Sequence, residues 1–135
     1  MPRILVIDDE MYVREALERV LTSPTITVVS AADAAAGFDV LRAESVDLVI
    51  VDIVLPGMDG VAAIKEIRRI RPGVRIIAIS GGGNFGLTAY RPDAISTIAY
   101  LAAGSAAGAD GVLAKPFETA ELRALITEIF TTQPT

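Results

Sequence analysis

Residues 46–60, VDLVIVDIVLPGMDG, decide how the chain folds. Leu48, Val49, Ile50 and Val51 are apolar without alternation, the pattern of a short strand covered on both faces rather than on one. An acid, Asp52, ends the run. Pro56 and Gly57 then mark a turn. Val61, Ile64 and Ile67 follow at helical spacing until Pro72-Gly73 stops them. Asp59 is placed to cap that helix, with Gly57 and Gly60 permitting the turn. The stretch therefore predicts one β-α unit whose strand is buried and whose carboxyl end carries a carboxylate.

The same pattern recurs outward from this unit. Short β-branched runs at Arg3–Ile7, Thr25–Val29, Asp47–Val51, Val74–Ile79 and Gly111–Ala114 are predicted strands, with helical stretches between them. Val13, Ala16, Leu17, Val20 and Leu21 form one apolar stripe in the first helix, and Leu122, Leu125, Ile126 and Ile129 do so in the last. The Ala-rich stretch Ala99–Ala109 predicts a close-packed helix in which Gly104 and Gly108 each cost up to ~1 kcal/mol relative to Ala. Five β-α units with doubly apolar strands predict an α/β, doubly wound fold, a parallel sheet with helices on both faces. Residues 1–131 form the expected domain, and 132–135 a frayed tail.

Composition narrows the chemistry. The 135 residues suit one domain and carry a net charge of -5. Lys and Arg are scattered rather than striped, which argues against direct nucleic-acid binding. No apolar run approaches a membrane span, and no signal peptide precedes the first strand, so a cytoplasmic location is expected. Cys and His are both absent. That excludes disulfides, thiolate or imidazole metal sites and histidine-based catalytic triads, and leaves carboxylate, hydroxyl and lysine.

The acids fall where those groups are useful. Asp8 and Asp9 follow the first strand and Asp52 ends the third, all at the carboxyl edge where open α/β sheets bind ligands. In the flavodoxin-like strand order 2-1-3-4-5 these two strands are neighbours and the three carboxylates converge. Carboxylates so close raise one another's pKa unless a cation intervenes. Oxygen-only ligation selects Mg²⁺ or Mn²⁺. Ser80 ends the fourth strand and Lys115 the fifth, adding a hydroxyl and a cation of the kind that stabilises a transferring phosphoryl group. Taken singly, Asp8 and Asp9 have a simpler reading as caps of the first helix.

The segments ILVIDDE, VDLVIVDIVLPGMDG, IIAIS and GADGVLAKPF, in this order, give a chain that resembles the receiver domains of two-component response regulators over nearly its whole length. The resemblance implies a signalling domain that catalyses only its own phosphorylation and dephosphorylation. Asp52 would accept a phosphoryl group from the phosphohistidine of a sensor histidine kinase or a histidine phosphotransferase. Asp9, Asp52 and the backbone carbonyl of Val54 would ligate Mg²⁺, with Asp8 acting through water. Ser80 and the Gly81 N–H would contact phosphoryl oxygens, Lys115 would pair with the phosphoryl group, and Lys115-Pro116 would be a cis peptide. Output would pass to an effector protein, with no output domain in the chain. Pairing of two copies would use the face of the fourth helix, fifth strand and fifth helix.

Two features depart from the family. Val112 stands three residues before Lys115, where receivers usually carry an aromatic switch residue, and a β-branched side chain cannot swing a ring. The segment between Ser80 and Lys115 is also long, with the excess in a polar loop over 81–94 that we expect to sense phosphorylation. Within it Gly81, Gly83 and Gly86 satisfy a G-x-G-x-x-G pattern. They follow the fourth strand rather than the first and open no helix, so dinucleotide binding is disfavoured. The competing class is a metal-dependent aspartyl-phosphate phosphotransferase or phosphatase acting on a small substrate. It normally needs a second acid two residues after the nucleophile, where this chain has Val54.

Overall fold

A computed structural model describes residues 2–55, 58–80, 108–114 and 117–131. In chain order its elements are β1 (Arg3–Ile7), α1 (Met11–Leu21), β2 (Thr27–Ala31), α2 (Ala34–Ala43), β3 (Leu48–Asp52), β4 (Val54–Leu55), β5 (Met58–Asp59), α3 (Gly60–Ile70), β6 (Arg75–Ser80), β7 (Gly111–Ala114) and α4 (Thr119–Thr131). Five parallel strands form one sheet in the order β2-β1-β3-β6-β7. With β4 and β5 set aside, that is the expected 2-1-3-4-5 of a flavodoxin-like fold.

The doubly apolar strands account for two cores. Alternate residues of a strand point to opposite faces. Leu5, Ile7, Val49, Val51, Ile76 and Ala78 pack with Phe38 and Leu41 of α2 and Ile64 and Ile67 of α3. Their neighbours Ile4, Val6, Leu48, Ile50, Ile77 and Ile79 pack on the other face with Leu17 and Leu21 of α1 and Leu122 and Ile129 of α4. Each fully buried Ile or Leu contributes about 1.5–3 kcal/mol of transfer free energy, so the central strands anchor whatever sits at their ends.

Three local expectations need correction, and one element is an addition. β2 begins at Thr27 rather than Thr25, because Ser23 and Ile26 exchange backbone hydrogen bonds of 3.2 Å around Pro24 and Thr25, turning the chain first. Ala16 is exposed; one residue from Leu17, it is rotated about 100° off the buried stripe. Gly108 lies in a turn at φ 118°, a backbone that L side chains rarely adopt, so its glycine serves the turn and not a helix interior. The hairpin of β4 and β5, pairing Val54 with Asp59 and Leu55 with Met58, was not anticipated as strand structure. The 81–94 loop, the 99–107 part of the Ala-rich stretch and the 132–135 tail lie outside the described residues, as does part of the surface expected to pair two copies.

Arginines close the carboxyl ends of three helices from neighbouring elements. Arg71 donates through Nε to Leu41 O at 2.9 Å and through Nη2 to Glu44 O at 3.0 Å at the end of α2. Arg123 Nη2 donates to Val20 O of α1 at 3.0 Å, and Arg75 Nη1 to Ile129 O of α4. Helix ends leave carbonyls without intrahelical donors, and a cation there also suits the helix dipole. Arg71→Met keeps the aliphatic stem but strands both carbonyls. It should cost about 2 kcal/mol, since hydrogen bonds to charged groups contribute about 1.5–3; chemical unfolding measures this, and an unchanged midpoint would refute the capping role.

Candidate functional site at the carboxyl edge of the sheet

The register of three strands builds the site. Ile7 of β1 pairs with Val51 of β3, so the next residues, Asp8 and Asp52, leave adjacent strands at the same level. Asp52 pairs with Ile79 of β6, and the following Ile53 N–H donates to Ile79 O at 2.9 Å. Asp8 is wholly buried and Asp52 is 5 % exposed, whereas Asp9 between them faces solvent. One carboxylate oxygen from each of the three lies within 4.8 Å of the others.

This donor set fits a hard divalent cation. Opposite ligands of an octahedral Mg²⁺ at about 2.1 Å are about 4.2 Å apart, so oxygens within 4.8 Å need only small adjustments or an intervening water. Three carboxylates without imidazole or thiolate favour Mg²⁺ or Mn²⁺ over zinc or copper. Among the described residues, this is the group of acids close enough to hold a metal.

The capping role weighed for Asp8 and Asp9 is not what the turn does. Glu10 occupies the N-cap position of α1, and its side chain makes no capping hydrogen bond. Asp8 instead accepts the Glu10 N–H at 2.8 Å on Oδ1, and its own N–H donates to Ala31 O of β2 at 3.1 Å. Both bonds hold Asp8 at the end of β1. Asp59 directly precedes α3, and its side chain, on which the expected capping role depends, lies outside what is described.

Val54 follows Asp52 by two residues in β4, keeping its backbone near the cluster in sequence. Ser80 is the last residue of β6 and pairs with Ala114, the last of β7. The chain thus leaves β6 and β7 at the same edge as Asp52, with Lys115 next after Ala114. The Ser80 side chain, Gly81, Lys115 and Pro116 lie outside the described residues. Val112 pairs with Ala78 and is half-buried against the core on the α2 and α3 face. Sequence reasoning missed Arg14, whose Nη1 donates to Asp8 O at 2.8 Å; an arginine on the half-polar first helix carries no signal that it folds back onto β1.

The response regulator receiver domain family model matches residues 4–127. The chain is 32% identical over 127 residues to "Probable transcriptional regulator ycf27" of Porphyridium aerugineum, covering 94% of this chain and 47% of that protein. It is 31% identical over 122 residues to "Response regulator MprA" of Mycolicibacterium vanbaalenii, covering 90% and 47%. It therefore spans about half the length of the curated relatives it matches. A putative response regulator from Chloroflexus aurantiacus, known from a crystal structure, is 30% identical with a TM-score of 0.79, covering 98% of this chain and 100% of that one.

Proposed function

This chain belongs to the response regulator receiver domain family, and from that premise we propose that it accepts a phosphoryl group on Asp52 from a partner's phosphohistidine. The observation that carries the reading is the buried Asp52 carboxylate at the end of β3, clustered within 4.8 Å with those of Asp8 and Asp9.

The chemistry is a group transfer. A carboxylate oxygen of Asp52 forms a bond to phosphorus as the donor's N–P bond breaks, and the imidazole nitrogen keeps the electron pair and takes up a proton. The chain contains no His, so the donor imidazole comes from a histidine kinase or phosphotransferase, or a small acyl phosphate replaces it. Asp8, Asp9, Asp52 and the Val54 carbonyl would hold Mg²⁺, which neutralises phosphoryl charge when bound. The register that ends β6 at Ser80 and β7 at Ala114 supports roles for the Ser80 hydroxyl, the Gly81 N–H and Lys115 as donors to the phosphoryl oxygens. Burial of Asp8 and Asp52 keeps bulk water from competing for those oxygens. The phosphorylated state is then read by an effector protein, with the 81–94 loop as the sensing segment in place of, or alongside, the aromatic that receivers usually carry where this chain has Val112.

Incubation with a small acyl-phosphate donor, with and without Mg²⁺, followed by intact-mass measurement tests this. One added phosphoryl group that requires the metal is the expected result. No adduct, together with steady phosphate release from phosphate esters, would instead favour the aspartyl-phosphate phosphatase class.

A further inference from the structure

Asp9 is the exposed member of the acid cluster, and its side chain stands on the three-residue turn between β1 and α1. Three hydrogen bonds join into a ring around that turn. Asp8 Oδ1 accepts the Glu10 N–H at 2.8 Å. Glu10 O accepts the Arg14 N–H at 3.1 Å, within the first turn of α1. Arg14 Nη1 then reaches back to Asp8 O at 2.8 Å, and Asp9 is the residue enclosed.

We propose that Arg14 is a positioning residue for the metal site: its guanidinium locks the Asp8-Asp9-Glu10 turn so that the Asp9 carboxylate is held toward Asp8 and Asp52. The inference rests on the metal-binding reading above. The α1 N-terminus has no acid in its first turn and no side-chain cap, so Arg14 supplies a side-chain tie from the helix back to the turn. An exposed carboxylate on a loosened turn must be ordered when the cation binds, which weakens binding.

A second effect runs the other way, because a fixed cation near the site repels Mg²⁺. Arg14 is half-buried and its guanidinium, bonded to Asp8 O, lies inside the screening length of about 8 Å at physiological salt, so the repulsion acts on the site. Its hydrogen bond to Asp8 is direct and short-ranged. On this proposal orientation outweighs repulsion, so that removing Arg14 lowers rather than raises affinity for the metal.

The test titrates Mg²⁺ alone by calorimetry into the full chain, with metal-free thermal melts alongside. Arg14→Met keeps the apolar stem and should bind Mg²⁺ about tenfold more weakly, the low end for residues that orient metal ligands, while its metal-free melt stays near that of the parent. Arg14→Lys keeps charge and donor but not the rigid planar fork; it should bind about threefold more weakly. Either variant binding Mg²⁺ as tightly as the parent overturns the proposal, and a Met variant that binds more tightly shows that repulsion dominates. If the parent chain itself gives no Mg²⁺ response, the metal reading falls and this inference with it.

Discussion

Asp52→Asn is expected to abolish the metal-dependent phosphoryl adduct, from near-complete modification of the parent chain to none detectable by intact mass. The amide has nearly the shape of the carboxylate but is a far weaker nucleophile, and its acyl phosphate analogue does not form. Folding should survive the change. Asp52 is 5 % exposed and lies within 4.8 Å of two other carboxylates, so removing one charge relieves their mutual repulsion in metal-free buffer. The thermal midpoint should therefore hold or rise without Mg²⁺, and the stabilisation gained on adding Mg²⁺ should shrink. An adduct that persists in this variant would place the acceptor elsewhere and remove the central support for the proposed function.

Gly60→Ala is expected to be the most destabilising single-methyl change near the site. A Cβ built on Gly60 would lie 2.1 Å from Ile53 O, 2.3 Å from Ile53 Cα and 2.5 Å from Ile53 C. All three atoms are backbone, so no rotamer change relieves the overlap. Helix propensity alone would favour Ala at this position by up to ~1 kcal/mol. Overpacking typically costs 1–3 kcal/mol and more where backbone must move, so the clash decides the sign, and a net loss of about 3 kcal/mol is expected. Ile53 cannot yield freely, since it is 2 % exposed and its N–H is bonded to Ile79 O. A fall in Tm on the order of 10 °C follows for a domain of this size. Because Ile53 directly follows Asp52, the protein that remains folded should also lose Mg²⁺ affinity. A melt within a couple of degrees of the parent would mean that α3 can shift away without cost.

The fold and the acids were legible for the same reason. Leu48–Val51 is apolar at every position, and such a run is stable only with cover on both faces; its observed burial is complete. Asp52, Asp8 and Asp9 stand out because an acid closing such a strand has to sit at the sheet's edge. Less was readable where contacts join distant residues. The arginines that looked scattered along the chain turn out to close helix ends, with Arg123 reaching Val20 and Arg71 reaching Leu41 and Glu44. Arg68 likewise spans to Gly108 O at 2.7 Å and to Asp110 at 3.2 Å.

The amino-acid order by itself determined the α/β class and the three carboxylates, because local burial patterns and strand-end residue types follow from short-range periodicity; the strand order entered with the flavodoxin-like fold and is what the register bears out. Tertiary structure alone decided that Asp8 is buried while its neighbour Asp9 is exposed, that Gly60 lies against the Ile53 backbone, and that Arg14 closes a ring around the acidic turn. Those outcomes depend on strand register and on how far a side chain reaches across the fold, and neither is written in the spacing of residues along the chain.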